Sequence, residues 1–237
     1  MLVLALDTSS AAVTAGLLRL HPVGAPEVLA ERVTVGARAH GELLMPSVCS
    51  VLASAEVSSV RVSMGDLDAV VCGAGPGPFT GLRIGMVTAA ALGDALGIPV
   101  YPVCSLDAIA YRAGAGSPLL VVSDARRREV YWARYDASGV RVDGPHVGRP
   151  AELPSGGVSR VAGAADALEL DVLELDALKP SVGLPMVVPP RYPDPAGLVA
   201  VAAQALRAHA PPGPLTPLYL RRPDAVEPGS SKRVTPV

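Results

Sequence analysis

The sequence predicts an α/β fold built from two related subdomains. A three-stranded opening occurs near the start and again past the midpoint, helices with apolar residues at 3.6-residue spacing follow it, and further short strands come behind the helices. The two halves meet near residue 103.

LVLALD (2–7) is apolar almost throughout, the pattern of a buried strand. VTAGLLRL (13–20) and ERVTV (31–35) continue a meander, with the Pro- and Gly-rich HPVGAPE as the loop between them. HGELLMPSVCSVLASAEV (40–57) sets Leu43, Leu44, Val48, Val51 and Leu52 at helical spacing, with Pro46 in the first turn or at a kink. DLDAVVCGAG (66–75) is a strand running into GAGPGPFTGLRIG, where Gly73, Gly75, Gly77 and Gly81 precede a helix. Thr80 is placed to cap that helix and Gly97, before Ile98-Pro99, to end it. Gly85, Ala89, Ala90, Ala91 and Gly93 make the helix rich in small residues, which let another backbone come close. IPVYPV (98–103) is the next strand.

In the second half, SLDAIAYRAGA (105–115) reads as a short helix and PLLVVSDARRREVYWARYD (118–136) as a hairpin with a charged tip at Arg126–Glu129. GVRVDGPHVG (139–148) is a third strand. Short strands are expected near 158–162 and 185–188, with a helix near 164–170. DPAGLVAVAAQALRAHA (194–210) is an amphipathic helix, PLYLRRPDA an extended segment, and EPGSSKRVTPV a polar, disordered tail. The expected layout is thus 1–103, 104–222 and a tail at 223–237.

Half of the 237 residues are hydrophobic and 18% are charged, the composition of a globular chain. Only 3% are aromatic, which disfavours a stacking platform for single-stranded nucleic acid. The net charge of −2 lacks the basic excess of a protein that grips RNA alone. Cys49, Cys72 and Cys104 are far apart in apolar surroundings and read as buried thiols of a reducing compartment. The opening MLVLALDTSS has no basic n-region and reaches Asp7 too soon for a leader or a membrane span, so the cytoplasm is expected.

Four motifs offer chemistry. The glycine loop lacks the Gly-Lys-Ser/Thr of a phosphate-binding P-loop and has Thr80 where a dinucleotide fingerprint needs its third glycine. Pro76 and Pro78 also remove backbone donors, so a tight strand-to-helix turn is the better reading. Asp7, Thr8 and Ser9 could hold a metal-bound phosphate, but an Asp and hydroxyls capping a turn is the simpler role. His40 has no second histidine three or four residues on, as a helical zinc site needs. A hydrolase built on Ser9, His40 and Asp7, or on Cys104, lacks a G-x-S-x-G elbow. Arg126, Arg127 and Arg128 are either a solvated tip or a contact for a small anion or RNA.

LALDTSS, HGELLMP, GPGPFTGLRIG, SLDAIA, DARRREVYWARYD and PLYLR, in this order over nearly the whole chain, resemble the TsaB (YeaZ) family. These are dimerisation subunits of the bacterial machinery that makes threonylcarbamoyladenosine in tRNA. The family has Ser where this chain has Pro78. The resemblance implies two ribonuclease-H-like subdomains of the actin and sugar-kinase superfamily, each a mixed sheet with helices. It also implies a subunit that is not an enzyme and holds no cofactor or metal. That subunit supports the catalytic relative TsaD, which carries a metal-binding H-x-x-x-H. In this chain the matching stretch runs from His40 to Leu44, so the second ligand is missing. The ATPase TsaE joins the pair, and tRNA is met indirectly through the complex. Partner docking is expected on the helices at 40–55 and after the glycine loop. Leu43, Leu44, Val48, Leu82, Ile84, Met86, Val87 and Ala90 are the interface or adjacent core, with Arg83 at the rim. On this view Met86→Glu breaks the complex in a folded chain. The sequence leaves open whether the free chain is a monomer or a homodimer, and an exposed apolar helix face would favour the homodimer when the partner is absent. The alternatives are a glycoprotease-like hydrolase and an ATP-binding module using Asp7, Thr8 and Ser9.

Overall fold

The computed structural model describes residues 1–36, 38–57, 60–154, 156–164 and 186–221. The expected helix near 164–170 and tail at 223–237 lie outside them.

The strand β1 (Leu2–Asp7) pairs antiparallel with β2 (Ala12–Arg19), and β2 with β3 (Glu27–Val35). After α1 (His40–Ser54) comes a minimal hairpin of β4 (Glu56–Val57) and β5 (Val60–Arg61). Strand β6 (Ala69–Gly73) then pairs parallel to β1, and α2 (Phe79–Leu96) leads to β7 (Val100–Val103), parallel to β6. The sheet order is β3-β2-β1-β6-β7.

After α3 (Ser105–Ala113) the same plan recurs. Strands β8 (Leu119–Asp124), β9 (Val130–Tyr135) and β10 (Arg141–Gly148) form an antiparallel meander. Strands β11 (Arg160–Gly163) and β12 (Met186–Val188) add parallel to β8, giving the order β10-β9-β8-β11-β12. Two mixed five-stranded sheets with one topology are the duplicated ribonuclease-H-like arrangement that the repeat and the resemblance implied.

Strand β1 is apolar at nearly every position because both sheet faces are covered. Leu4 and Leu6 point into a core with Leu44, Val48 and Val51 of α1 and Met86 and Ala89 of α2. Val3 and Ala5 point the other way, onto Leu198, Val199 and Leu206 of α4 (Pro195–Arg207). A helix from the far end of the chain thus closes the first sheet. Helix α3 lies against α4 through Ala108 and turns Leu106 and Ile109 toward the second sheet, joining the two halves.

Some local expectations shift. Helix α2 starts at Phe79 behind Pro78, whose φ of −60° suits a helix start, and no side chain caps it, so Thr80 lies inside the first turn. Gly97 ends it in the left-handed region, φ 66°. Pro46 sits in the second turn of α1, on an exposed position. Residues 210–220 form no strand. Cys72 is buried, Cys104 is partly buried, and Cys49 is exposed on the outer side of α1, contrary to the expectation of three buried thiols. Burial raises the Cys104 thiol to about 11, which keeps it protonated at neutral pH. Among the described residues no helix is long and apolar enough to cross a membrane.

Candidate functional site

The turn between β1 and β2 is a hub in which Asp7, Thr8 and Ser10 reach the starts of α3, α2 and α1, while Ser9 bonds back to Asp7. Asp7 is 1% exposed. Its Oδ1 accepts hydrogen bonds from the Ser9 amide and hydroxyl, both at 2.8 Å. Its Oδ2 accepts from the Ser105 hydroxyl at the start of α3, at 2.6 Å. Burial pushes the Asp7 carboxyl above its ordinary value of 3.8, against the opposing pull of the Ser105 and Ser9 hydrogen bonds.

Thr8 reaches helix α2. Its hydroxyl donates to the Gly81 carbonyl at 2.7 Å and accepts from the Gly85 amide at 3.0 Å. The backbones meet so closely that a Cβ on Gly81 would lie 2.5 Å from the Thr8 carbonyl oxygen. A Cβ on Gly77 would lie 2.2 Å from that of Ser9. The Ser10 carbonyl accepts from His40 Nε2 at 2.8 Å, which ties the first residue of α1 to the same turn. A carbonyl can only accept, so Nε2 carries the proton and is not a free metal ligand. Among the described residues no three His, Cys, Asp or Glu side chains gather as a metal-binding group.

The glycines therefore serve close approach. They let the turn press on the loop and on the first two turns of α2, while His40 brings α1 alongside. The result is two helices held at a fixed mutual position by one turn of the first strand.

The hub faces a cleft of about 500 Å³. Thr8, His40 and Thr80 line one wall, Asp124, Arg126 and Tyr131 of the β8–β9 hairpin the other. The C-terminal segment spans the two. Leu218 N donates to the Ala74 carbonyl at 2.9 Å, and Arg221 donates to the Ala125 carbonyl at 2.9 Å. Between them Tyr219 stacks on Phe79, ring centroids 4.9 Å apart. The Arg83 Nε donates to the Tyr219 hydroxyl at 3.1 Å, with the guanidinium 3.8 Å over the Phe79 ring. The hairpin tip is unusual: Arg126, Arg127 and Arg128 have φ of 60°, 53° and 61°. Left-handed backbone costs a non-glycine residue roughly 1–3 kcal/mol. The turn is held by the Arg126 amide donating to Asp124 Oδ1 at 2.7 Å and by hydrogen bonds between Ala125 and Glu129.

The expected interface residues divide. Leu44, Val48, Leu82 and Met86 are at most 3% exposed and belong to the core. Leu43, Ile84 and Ala90 are partly buried, Val87 is 65% exposed, and Arg83 is exposed but engaged by Phe79 and Tyr219. Asp7, Thr8 and Ser9 do come together, as the anchors of the turn. Sequence reasoning missed Ser105, Gly85 as a hydrogen-bond donor to Thr8, and Tyr219. A serine opening a helix was visible in SLDAIA, but its pairing with a carboxylate 98 residues earlier leaves no local trace.

A prediction follows for Asp7. Its folded pKa is raised, so the protonated form favours folding. That stabilisation is complete below the unfolded value and is lost as pH rises through the folded one. Asp7→Asn removes this dependence. Urea midpoints of the two proteins should diverge in favour of the variant as pH goes from acid to neutral. A difference independent of pH would contradict the raised value.

A family model described as TsaD, tRNA N6-adenosine threonylcarbamoyltransferase, matches residues 27–166. The chain is 53% identical to an uncharacterized protein of Mycobacterium tuberculosis (strain H37Rv), over 94% of this chain and 93% of that protein. Two proteins named tRNA threonylcarbamoyladenosine biosynthesis protein TsaB are also similar. The one from Bacillus subtilis is 35% identical over 57% of this chain and 55% of its own length. The one from Escherichia coli is 32% identical over 59% of this chain and 58% of its own. The solved structure of YeaZ from Pseudomonas aeruginosa aligns with a TM-score of 0.71 at 26% identity, covering 92% of this chain and 100% of that one.

Proposed function

The chain belongs to the TsaD family, on its TsaB (YeaZ) side, and from that premise we propose that it is a non-catalytic scaffold subunit in the synthesis of threonylcarbamoyladenosine in tRNA. In this reading residues 1–103 are the docking half and residues 104–222 the second half. The outer faces of α1 and α2 receive the catalytic paralogue TsaD, TsaE joins the pair, and the same face self-associates when the partner is missing.

The observation that carries the proposal is the state of the first turns of α1. The resemblance implies an H-x-x-x-H in the catalytic relative. Here the second position is Leu44, 1% exposed in the core, and the first, His40, spends Nε2 on the Ser10 carbonyl. Both positions support the packing of α1. A second support is the outward face of the helix pair. Met45, Cys49 and Ala53 of α1 and Val87 and Ala91 of α2 are exposed and uncharged, with exposed Glu42 at one end of the α1 stripe and exposed Arg83 and Asp94 at the ends of the α2 stripe. A helix-on-helix contact with a partner would cover such a face.

The test is reconstitution. The cognate transferase, the ATPase, the threonylcarbamoyl-adenylate synthase, tRNA, threonine, bicarbonate and ATP are combined with and without this chain. Nucleoside mass spectrometry reads the product. Product that requires the chain, and that persists with Asp7→Asn, is expected. Equal product without the chain overturns the proposal.

A further inference from the structure

We infer that the β8–β9 hairpin tip is a docking surface for the phosphate backbone of tRNA, so that this chain touches the RNA directly. The inference rests on the reading above that the chain works in tRNA modification.

Three observations point the same way. First, three successive arginines hold left-handed backbone, φ 60°, 53° and 61°, a conformation that glycine adopts without cost. The side chains of Arg126 and Arg128 are exposed, so core packing does not account for keeping arginine there. Strain retained without a packing return is the mark of a site with another use. Second, the tip does not stand alone. Arg38, exposed before α1, and Arg221 line the same cleft as Arg126; Asp124 also lines it, and Arg221 is paired with Glu129 of the hairpin at 3.6 Å, so the five arginines Arg38, Arg126, Arg127, Arg128 and Arg221 face two carboxylates. A chain with a net charge of −2 therefore concentrates positive charge at one place. Third, that place adjoins the N-terminal ends of α1 and α2, since His40, Thr80 and Arg126 share one cleft. RNA carried by a partner on those helices would pass within reach of the tip.

Guanidinium groups on a protruding turn suit phosphate oxygens spaced along a strand, and no feature of the tip reads base identity. The contact positions RNA without specifying its sequence.

The test uses the full chain with its transferase and an unmodified tRNA transcript, with affinity followed by fluorescence anisotropy over a salt series. Two pairs of substitutions are compared: Arg126→Gly with Arg128→Gly, and Arg126→Lys with Arg128→Lys. The glycine pair should keep the wild-type thermal midpoint or raise it, because glycine relieves the backbone. It should weaken tRNA binding roughly tenfold or more and lower the slope of log affinity against log salt by about two, one for each lost phosphate contact. The lysine pair should retain most of the affinity. In the reconstituted reaction the glycine pair should raise the KM for tRNA with kcat unchanged. An unchanged salt slope and KM in the glycine pair, or a lysine pair as weak as the glycine pair, overturns the inference. If the wild-type chain supports modification while the glycine pair matches it, only the tip assignment falls. If the wild-type chain supports none, the functional reading falls with it.

Discussion

Val87→Glu should leave the chain folded and abolish its complex with the transferase. Val87 is 65% exposed near the middle of α2, so the fold has little invested in its side chain. A substitution there should change stability by no more than about 0.5 kcal/mol, and glutamate is the better helix former. At the centre of a helix-on-helix interface the same carboxylate would be buried without a partner. Central interface positions typically cost about 2–4 kcal/mol when disrupted, a loss of roughly 30-fold or more in affinity. Co-purification with the transferase and product formation should both fail, while circular dichroism and the urea midpoint stay at wild-type values. A complex that survives Val87→Glu would remove α2 from the interface. Met86→Glu, the substitution that the family resemblance suggested, cannot make this test. Met86 is 3% exposed among Leu44, Val48 and Ala89, and a carboxylate there would unfold the chain before any interface was probed.

Gly81→Ala should destabilise the protein by about 2–4 kcal/mol, although alanine in place of glycine within a helix ordinarily stabilises by up to about 1 kcal/mol. The reversal comes from contact geometry. The added Cβ would meet the Thr8 carbonyl oxygen at 2.5 Å, and that atom is backbone, so no rotamer change relieves the overlap. The turn and the helix must separate, which also strains the hydrogen bonds of Thr8 to Gly81 and Gly85. Gly41→Ala is the matched control. It lies in the first turn of α1, and its Cβ would find only Ile84 Cδ1 at 3.9 Å, an ordinary contact. That variant should gain about 0.5–1 kcal/mol. Urea unfolding with an unchanged m-value checks both. A stabilised Gly81→Ala would refute the account of the glycine loop as a packing device.

Much of the molecule is local in origin and could be read from the residues. The runs LVLALD and LLVVSD, the helical spacing in HGELLMPSVCSVLAS and PAGLVAVAAQALR, and Gly97 as a helix stop each express a constraint satisfied within a few residues. Pattern alone also yielded the repeated opening, because an antiparallel meander is a run of neighbours in sequence. The absence of a second histidine after His40 was equally plain.

Other features depend on distances that sequence does not carry. Periodicity marked Met86 and Val87 alike as apolar, and only the placement of α2 on the sheet made one core and the other surface. Thr80 had the chemistry of a cap, yet the cap position fell two residues earlier, at Pro78. Spacing rules spoke against the glycine loop as a phosphate cradle, but its positive role needed the turn of β1 lying across it. Asp7 meets Ser105 across 98 residues, Thr8 meets Gly81 across 73, and Arg83 meets Tyr219 across 136. Sequence by itself determined the elements, their duplicated order and the family resemblance, because backbone propensity and apolar period act over one or two turns. Tertiary structure alone decided which faces stay open and which hydroxyl holds which helix. Those outcomes follow from packing two sheets and their helices into one volume, where each contact depends on the position of every element around it.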